Sequence, residues 1–349
     1  MNLYTINLIV EIIKAGIIAT AMMLGFAAMT LVERKLVARF TLRYGPNRAG
    51  KFGLLQPVAD MFKMFFKEEV IPGHVDWLVY VMAPGIALVP AIIAFAVVPL
   101  ASQPFTISFS QQWLGAPLVI TPWVADVNVG LLYVLAIGSL GTYGVILGGW
   151  SSNNKYSLLG GLRTSAQMLS YELPLGVALL SVVAVAGSLR MTEIVEWQSA
   201  WWGFRWFVFL QPIAFLIFFI SGLAEAGRSP FDLPETENEL IGGFATEYGG
   251  MKFGLFFGAE YIHVIVLSCM AATLFLGGWS GPLATQLPFL GFIYFVLKVS
   301  VMLFVIIWVR ASIPRVRFDK MMKFCWKFLL PVGIINLVVT VLLIAIFTF

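Results

Sequence analysis

Apolar residues run in long blocks along the chain, broken by short polar segments. Eight blocks are long enough to span about 30 Å of hydrocarbon, near 4–32, 78–100, 127–149, 166–187, 206–226, 252–276, 288–309 and 327–348. The first is read as a span, not a cleavable leader, because it lacks a basic start and a small-residue cleavage site and runs directly into Glu33-Arg34-Lys35. Glu11 and Lys14, three apart, are placed to pair near the outer interface. The pattern predicts an all-α polytopic membrane protein whose residues 1–349 form one transmembrane domain.

A ninth segment has helical spacing but is too polar to cross. In 54–69, Leu54, Leu55, Val58, Met61, Phe62, Phe65 and Phe66 recur every three or four residues, with Asp60, Lys63 and Lys67 opposite. This predicts an amphipathic helix at the membrane surface. It serves either as an interfacial anchor or to turn Asp60 and Lys63 towards a cavity. Just upstream, Arg43-Tyr-Gly-Pro-Asn47 reads as a tight turn.

The basic residues orient the chain. Segments 33–75, 150–165, 227–252 and 310–327 carry 18 of the 22 Lys and Arg, and the intervening loops 101–126, 188–205 and 277–287 carry two. By the positive-inside rule the rich segments are cytoplasmic and both termini lie outside. The net charge of +4 reflects this sidedness, and nucleic acid is not expected as a partner. With 60% hydrophobic and only 11% charged residues, the chain has too few charges for a water-facing surface of its size.

Composition also limits the chemistry. Cys269 and Cys325 stand far apart, so neither an iron–sulfur centre nor a structural zinc site is expected within this chain. Of the two histidines, His74 and His263, only His263 sits in an apolar run, which rules out a bis-histidine haem in the membrane. There is no G-x-G-x-x-G or P-loop motif. Any electrons must come from a partner.

Glu172, Glu225 and Glu260 lie within or at the ends of the fourth, fifth and sixth runs. A charged group at mid-membrane costs about 2.5–3.5 kcal/mol on insertion scales, which makes these acids functional candidates. The bland reading is a neutral acid held by an interhelical hydrogen bond. Pro174 frees a backbone carbonyl near Glu172, and Arg228, three residues after Glu225, is placed for an ion pair. The loop 227–250 concentrates Asp232, Glu235, Glu237, Glu239 and Glu247 on the otherwise basic face. Asp232, Pro234 and Glu235 are spaced to start a short helix, about 234–247, with Leu240, Ile241 and Phe244 on its apolar stripe. Apolar residues inside the loop argue for burial over a solvated acidic cap. Clustered buried acids cannot all ionise, which is the chemistry of a proton relay.

Several stretches together carry a resemblance: Glu33-Arg-Lys35, Arg43-Tyr-Gly-Pro-Asn47, Gly53-Leu-Leu-Gln-Pro-Val-Ala-Asp60, Lys67-Glu68, Ser151-Ser-Asn-Asn-Lys-Tyr156, Ser170-Tyr-Glu172, Glu225-Ala-Gly-Arg-Ser-Pro-Phe-Asp232, Glu237-Asn-Glu239-Leu and Glu247-Tyr248. Over essentially its whole length the chain resembles the quinone-binding membrane subunit of respiratory complex I, the H-subunit family of NADH–quinone oxidoreductases. The resemblance implies a tunnel for a long-tailed quinone, with Glu33, Arg34, Asp60, Lys63 and Arg310 along it. It assigns Glu172, Glu225 and Glu260 to a carboxylate route into the membrane arm, beside the acidic loop of Asp232, Glu235, Glu237, Glu239 and Glu247. By the same resemblance, Arg43, Arg228, Arg315, Arg317 and Asp319 are expected to support the inner loops. The resemblance further implies that the chain binds no cofactor itself and that quinone is the substrate. Partner subunits hold FMN and the iron–sulfur clusters, including the terminal cluster in a hydrophilic arm, and small membrane subunits lie alongside. The implied site is a prokaryotic plasma (inner) membrane.

The chain departs from many relatives at Thr41, where Gln is common, and at Gly141, where some have Glu in the third span. The aromatic, Pro-rich loop 101–126 faces away from the implied chemistry and is read as packing or partner contact. The related subunit of membrane-bound hydrogenases shares the fold and some of these acids, but the 43–47 and 53–60 stretches favour the quinone form. An autonomous ion antiporter is the competing class, disfavoured by the lack of a strong internal repeat.

Overall fold

A computed structural model describes residues 3–101, 105–107, 118–199, 205–232, 241–282, 284 and 287–347. Helix α1, Leu3–Phe40, continues well past the apolar run that predicts it. Glu33, Arg34 and Lys35 end the hydrophobic stretch but not the helix, since Glu, Arg and Lys are good helix formers. The surface helix α2 is Gln56–Phe66, followed by α3, Trp77–Ala94. Then come α4, Gly130–Ser151, and α5, Lys155–Ala186. Helix α5 starts eleven residues before the predicted span, because the Asn154 side chain accepts the Tyr156 amide at 2.9 Å and caps it there. The rest are α6, Met191–Gln198; α7, Pro212–Glu225; α8, Gly250–Phe275; α9, Pro288–Ser312; and α10, Phe318–Phe347.

Among the described residues, seven helices (α1, α3, α4, α5, α8, α9 and α10) are long and apolar enough to cross a membrane, as expected of an integral membrane protein. The predicted span at 206–226 is instead a one-turn helix, Phe207–Leu210, a break at Gln211, and the 14-residue α7. Pro212 opens α7 and cannot donate into a continuous helix, so the break falls there. Two more features differ from the sequence reading. Loop 101–126 holds a short antiparallel pair, β1 (Phe105–Ile107) with β2 (Leu118–Ile120), Phe105 opposite Ile120. These segments are rich in β-branched residues, which a helix-only reading overlooks. Helix α6 likewise occupies a stretch between two expected spans.

Helix α8 is the hub. Of its most apolar stretch 78% is buried, against 22% for α1 and 17% for α10. It packs on α1, α3, α7 and α9, while α4 lies between α3 and α5, and α5 meets α7 and α10. Lipid gives helices no hydrophobic reason to associate, so close backbone approach matters. A Cβ on Gly144 of α4 would come within 2.5 Å of the Ala87 amide nitrogen of α3. Gly144→Val is therefore expected to force the two helices apart and destabilise the fold by about 1–3 kcal/mol. A lowered thermal midpoint of the detergent-solubilised protein checks this, and an unchanged midpoint contradicts it.

Pro174 has the predicted local effect. It supplies no amide proton to the Ser170 carbonyl, and Cys325 Sγ donates to that oxygen at 3.1 Å. From the next residue, the Tyr171 hydroxyl donates to the Met321 carbonyl at 2.9 Å. Helix α10 is thus tied to helix α5 beside its proline, and its π-helical turn at Cys325–Leu329 begins at this contact.

Candidate functional site: two cavities sharing one helix

The C-terminal end of α1 reaches in two directions. Glu33, buried, forms an ion pair with Arg310 near the end of α9. Arg34, the next residue, turns to α2 and pairs with Asp60 at 2.5 Å, and Asp60 also accepts from Gln56 Nε2 at 2.9 Å. Lys35 Nζ donates to the Phe52 carbonyl and fastens the turn after α1. That turn depends on Gly53, whose φ is +71° and whose Cβ, if present, would lie 2.2 Å from the Pro46 carbonyl oxygen.

These pairs border a cavity of about 460 Å³ lined by Glu33, Arg34, Arg43, Tyr44, Tyr261 and Arg310 among others. Of the five sequence-assigned tunnel residues, Glu33, Arg34 and Arg310 line it, and Asp60 is held to it through Arg34. Lys63 is exposed on α2 and does not line it. The apolar stripe of α2 faces outwards, with Phe62, Phe65 and Phe66 exposed, while Asp60 turns inwards. The helix presents its apolar side to its surroundings and its acid to the protein, which is the cavity-facing alternative for Asp60 but not for Lys63.

A second, more enclosed cavity of about 100 Å³ lies among α4, α5, α7 and α8. Glu225, Glu260, His263, Thr164 and Gln167 line it, together with Gly138 and Gly141. Glu225 Oε1 stands 3.6 Å from His263 Nε2. Behind them, Glu172 accepts from Ser139 Oγ at 2.5 Å. The local Glu225–Arg228 pair expected from sequence is not formed. Arg228 is buried with its guanidinium 3.9 Å over the Tyr261 ring, and Glu225 faces His263. Tertiary packing of α8 against the end of α7 offers both residues better-desolvated partners than a flexible local pair.

The two cavities share α8. Glu260 lines the smaller one and its neighbour Tyr261 lines the larger one. Successive helical residues point about 100° apart, so one helix forms a wall of both. Arg228, resting on Tyr261, sits on the same wall.

The loop after α7 is tied down at Asp232, which is buried and pairs with Arg315 at 3.1 Å, and at Pro230, whose carbonyl accepts the Val316 amide at 3.0 Å. Glu235, Glu237 and Glu239 lie outside the described residues. The described part of the predicted 234–247 helix is not α-helical. Ile241 has φ +65°, and only a single 3-10 turn, Gly243–Ala245, follows. Gly242 and Gly243 are poor helix formers, and this outweighs the capping pattern upstream. Glu247 accepts from Asn154 Nδ2 at 2.6 Å, while its carbonyl accepts the Tyr80 hydroxyl at 2.7 Å. Tyr80 and Tyr248 stack at 4.2 Å. Burial pushes the Tyr248 hydroxyl up to about 12, so it stays protonated and donates to the Tyr80 carbonyl. Arg317 and Asp319 form an exposed pair at 3.4 Å at the start of α10.

Sequence reasoning missed the roles of three residues. Gln167, fully buried, donates from Nε2 to the carbonyls of Ala224 (2.7 Å) and Phe231 (2.8 Å), joining α5 to both sides of the α7–loop junction. A lone Gln in an apolar run was the available signal, since a polar group in lipid must find partners. Tyr261 and His263 are the others; the sequence raised only a haem role for the latter.

A model of the family described as "NADH dehydrogenase" matches residues 13–341. The chain is 45% identical to the first NADH-quinone oxidoreductase H-subunit of Geobacter sulfurreducens, covering 97% of this chain and 95% of that protein. It is 47% identical to the NADH-quinone oxidoreductase H-subunit of Syntrophotalea carbinolica, over 97% and 98% of the two chains. To the corresponding H-subunit of Dehalococcoides mccartyi it is 49% identical, over 88% and 80%.

Proposed function

The chain belongs to the NADH dehydrogenase family as an H-subunit of NADH-quinone oxidoreductase, and from that premise we propose that its two cavities divide the labour of the complex. The larger one receives the quinone head. The smaller one holds the acids that pass on the resulting change of charge. The observation that carries this reading is the pair of neighbours Tyr261 and Glu260, which line the two cavities from one helix.

Reduction of a quinone to a hydroquinone takes up two electrons and two protons. The electrons come from an iron–sulfur cluster in a hydrophilic partner subunit that receives them through FMN. This chain has only two cysteines, both buried and in separate runs, and so offers no thiolate set for a cluster. Its own residues position the head and manage protons. Glu33 with Arg310, and Arg34 with Asp60, set up two ion pairs of opposite direction at the cavity wall. A quinone gaining charge draws on the cations and disturbs both pairs. Arg228 and Tyr261 meet that disturbance on one side of α8, and Glu260, Glu225 and Glu172 respond on the other by exchanging protons. Asp232, held by Arg315, fixes the start of the loop after α7 at the same junction.

In this reading the chain crosses a prokaryotic inner membrane eight times, counting α7 with the turn before it, and both termini lie outside. Fourteen residues of α7 rise only about 21 Å, so the preceding turn completes the passage. Small membrane subunits cover part of the exposed apolar surface, and lipid covers the rest.

Asp60→Asn tests the cavity assignment. It removes the charge that holds Arg34 with little change of volume, and is expected to lower quinone reductase turnover about 10-fold in membranes containing normal amounts of the complex. Normal turnover contradicts it. An autonomous antiporter would instead move ions when this chain alone is reconstituted in vesicles.

A further inference from the structure

We propose that His263 is a proton-exchanging partner of Glu225, a titratable member of the membrane relay additional to its carboxylates. The inference rests on the coupling role proposed above for the smaller cavity and adds a residue and a chemistry to it. His263 Nε2 lies 3.6 Å from Glu225 Oε1, on a different helix, and both line the same enclosed space. Among the lining residues only Glu225, Glu260 and His263 titrate, and none is a lysine or arginine. Glu172, hydrogen-bonded to Ser139 on the α4–α5 side, is the next acid. The α4 wall itself contributes Gly138 and Gly141, which carry no group to share a proton.

An imidazole beside a carboxyl group has two protonation states, and a place poor in water favours the neutral one until a nearby charge shifts the balance. In one, Glu225 carries the proton and both groups are neutral. In the other, the Glu225 O–H bond has broken, the Nε2–H bond has formed, and a carboxylate faces an imidazolium. One proton moves and no electrons do. The ion pair is the state that responds to charge elsewhere: a negative charge arising beyond Tyr261 repels the carboxylate and favours protonation of the pair, and its removal releases a proton. Glu260, three residues before His263 on the same face of α8, lies on the way between them. Histidine suits the position because a neutral imidazole has one ring nitrogen free to accept the proton that a neighbouring carboxyl group gives up. Two ionisable groups meeting inside a membrane protein bundle are a functional pairing by default, since a purely structural contact there needs neither charge.

The test is made in the assembled complex in native membrane vesicles. Proton translocation per quinone reduced is followed from about pH 5.5 to 8.5 in the wild type, His263→Gln, His263→Asn and Glu225→Gln. The amides keep a hydrogen-bonding group but cannot exchange a proton. Both His263 variants are expected to lose one titration step from the pH profile and to translocate on the order of 10-fold less near neutral pH. A wild-type profile in either His263 variant, with Glu225→Gln impaired, overturns the role of His263 and leaves the carboxylate relay standing. Wild-type behaviour in Glu225→Gln as well overturns both. If neither amide assembles, the same step is sought in Glu225→Gln, and its persistence there at unchanged pH overturns the pair.

Discussion

Glu33→Gln is expected to lower quinone reductase turnover by about 10²-fold, the scale set by removing one preorganised electrostatic group from a water-poor site. Burial is the reason. Glu33 is 7% exposed and paired with Arg310, so its replacement leaves a guanidinium facing the cavity without its counter-charge. Losing one partner of a fully buried pair costs about 3–5 kcal/mol, but the Arg310 side chain is 32% exposed, and water shields part of that loss. The subunit should therefore still assemble while the cavity's field changes. Arg310→Met added to Glu33→Gln removes the unpaired cation and is expected to recover part of the assembled amount, though not the turnover. The check is turnover per assembled complex, with content measured on a native gel. Wild-type turnover in the single variant contradicts a role for this pair in quinone chemistry.

Glu225→Gln is expected to act on the protons. The amide keeps the shape of the cavity but cannot give up a proton, so translocation per quinone reduced should fall on the order of 10-fold or more. Quinone reduction should slow with it if the two are obligatorily linked, and continue if they are not; the ratio is the measured quantity in either case. A pH-sensitive dye in vesicles reports it, and an unchanged ratio contradicts the relay. Glu172→Gln is a weaker form of the same change, because Ser139 can still donate to the amide oxygen.

The membrane character, the surface helix and the charged residues that line the two cavities were legible in the sequence, because each rests on local pattern. Apolar run length located the seven long helices, and the scarcity of charge made Glu33, Asp60, Glu225 and Glu260 conspicuous. Their partners were not legible. The pairing of Glu33 with Arg310 depends on how α1 and α9 cross, and no local spacing encodes that. Where local spacing did suggest a pair, at Glu225 and Arg228, long-range packing put Tyr261 and His263 in the way. The expected pair of Glu11 and Lys14 did form, at 2.5 Å, and Thr121 also accepts from Lys14, at 2.8 Å.

Charge proves a poor marker of a helix end. The charged ends of α1 and α5 remain helical, because Glu, Arg and Lys are good helix formers. The opposite holds at 241–247, where capping signals predict a helix that two glycines and the positive φ of Ile241 prevent. Lys63 shares the polar side of α2 with Asp60, and sequence alone sends both to the tunnel; the structure turns only Asp60 inwards.

The central claim is that quinone binds in the cavity between α1, the turn after it, α8 and α9. A photoreactive quinone analogue, activated in membranes containing the complex and mapped by peptide mass spectrometry, tests it most directly. Adducts at Val37, Tyr44, Phe257 or Tyr261, suppressed by excess natural quinone, are the expected result. Competable adducts confined to other surfaces of this chain, or absent from it while another subunit is labelled, would contradict the claim.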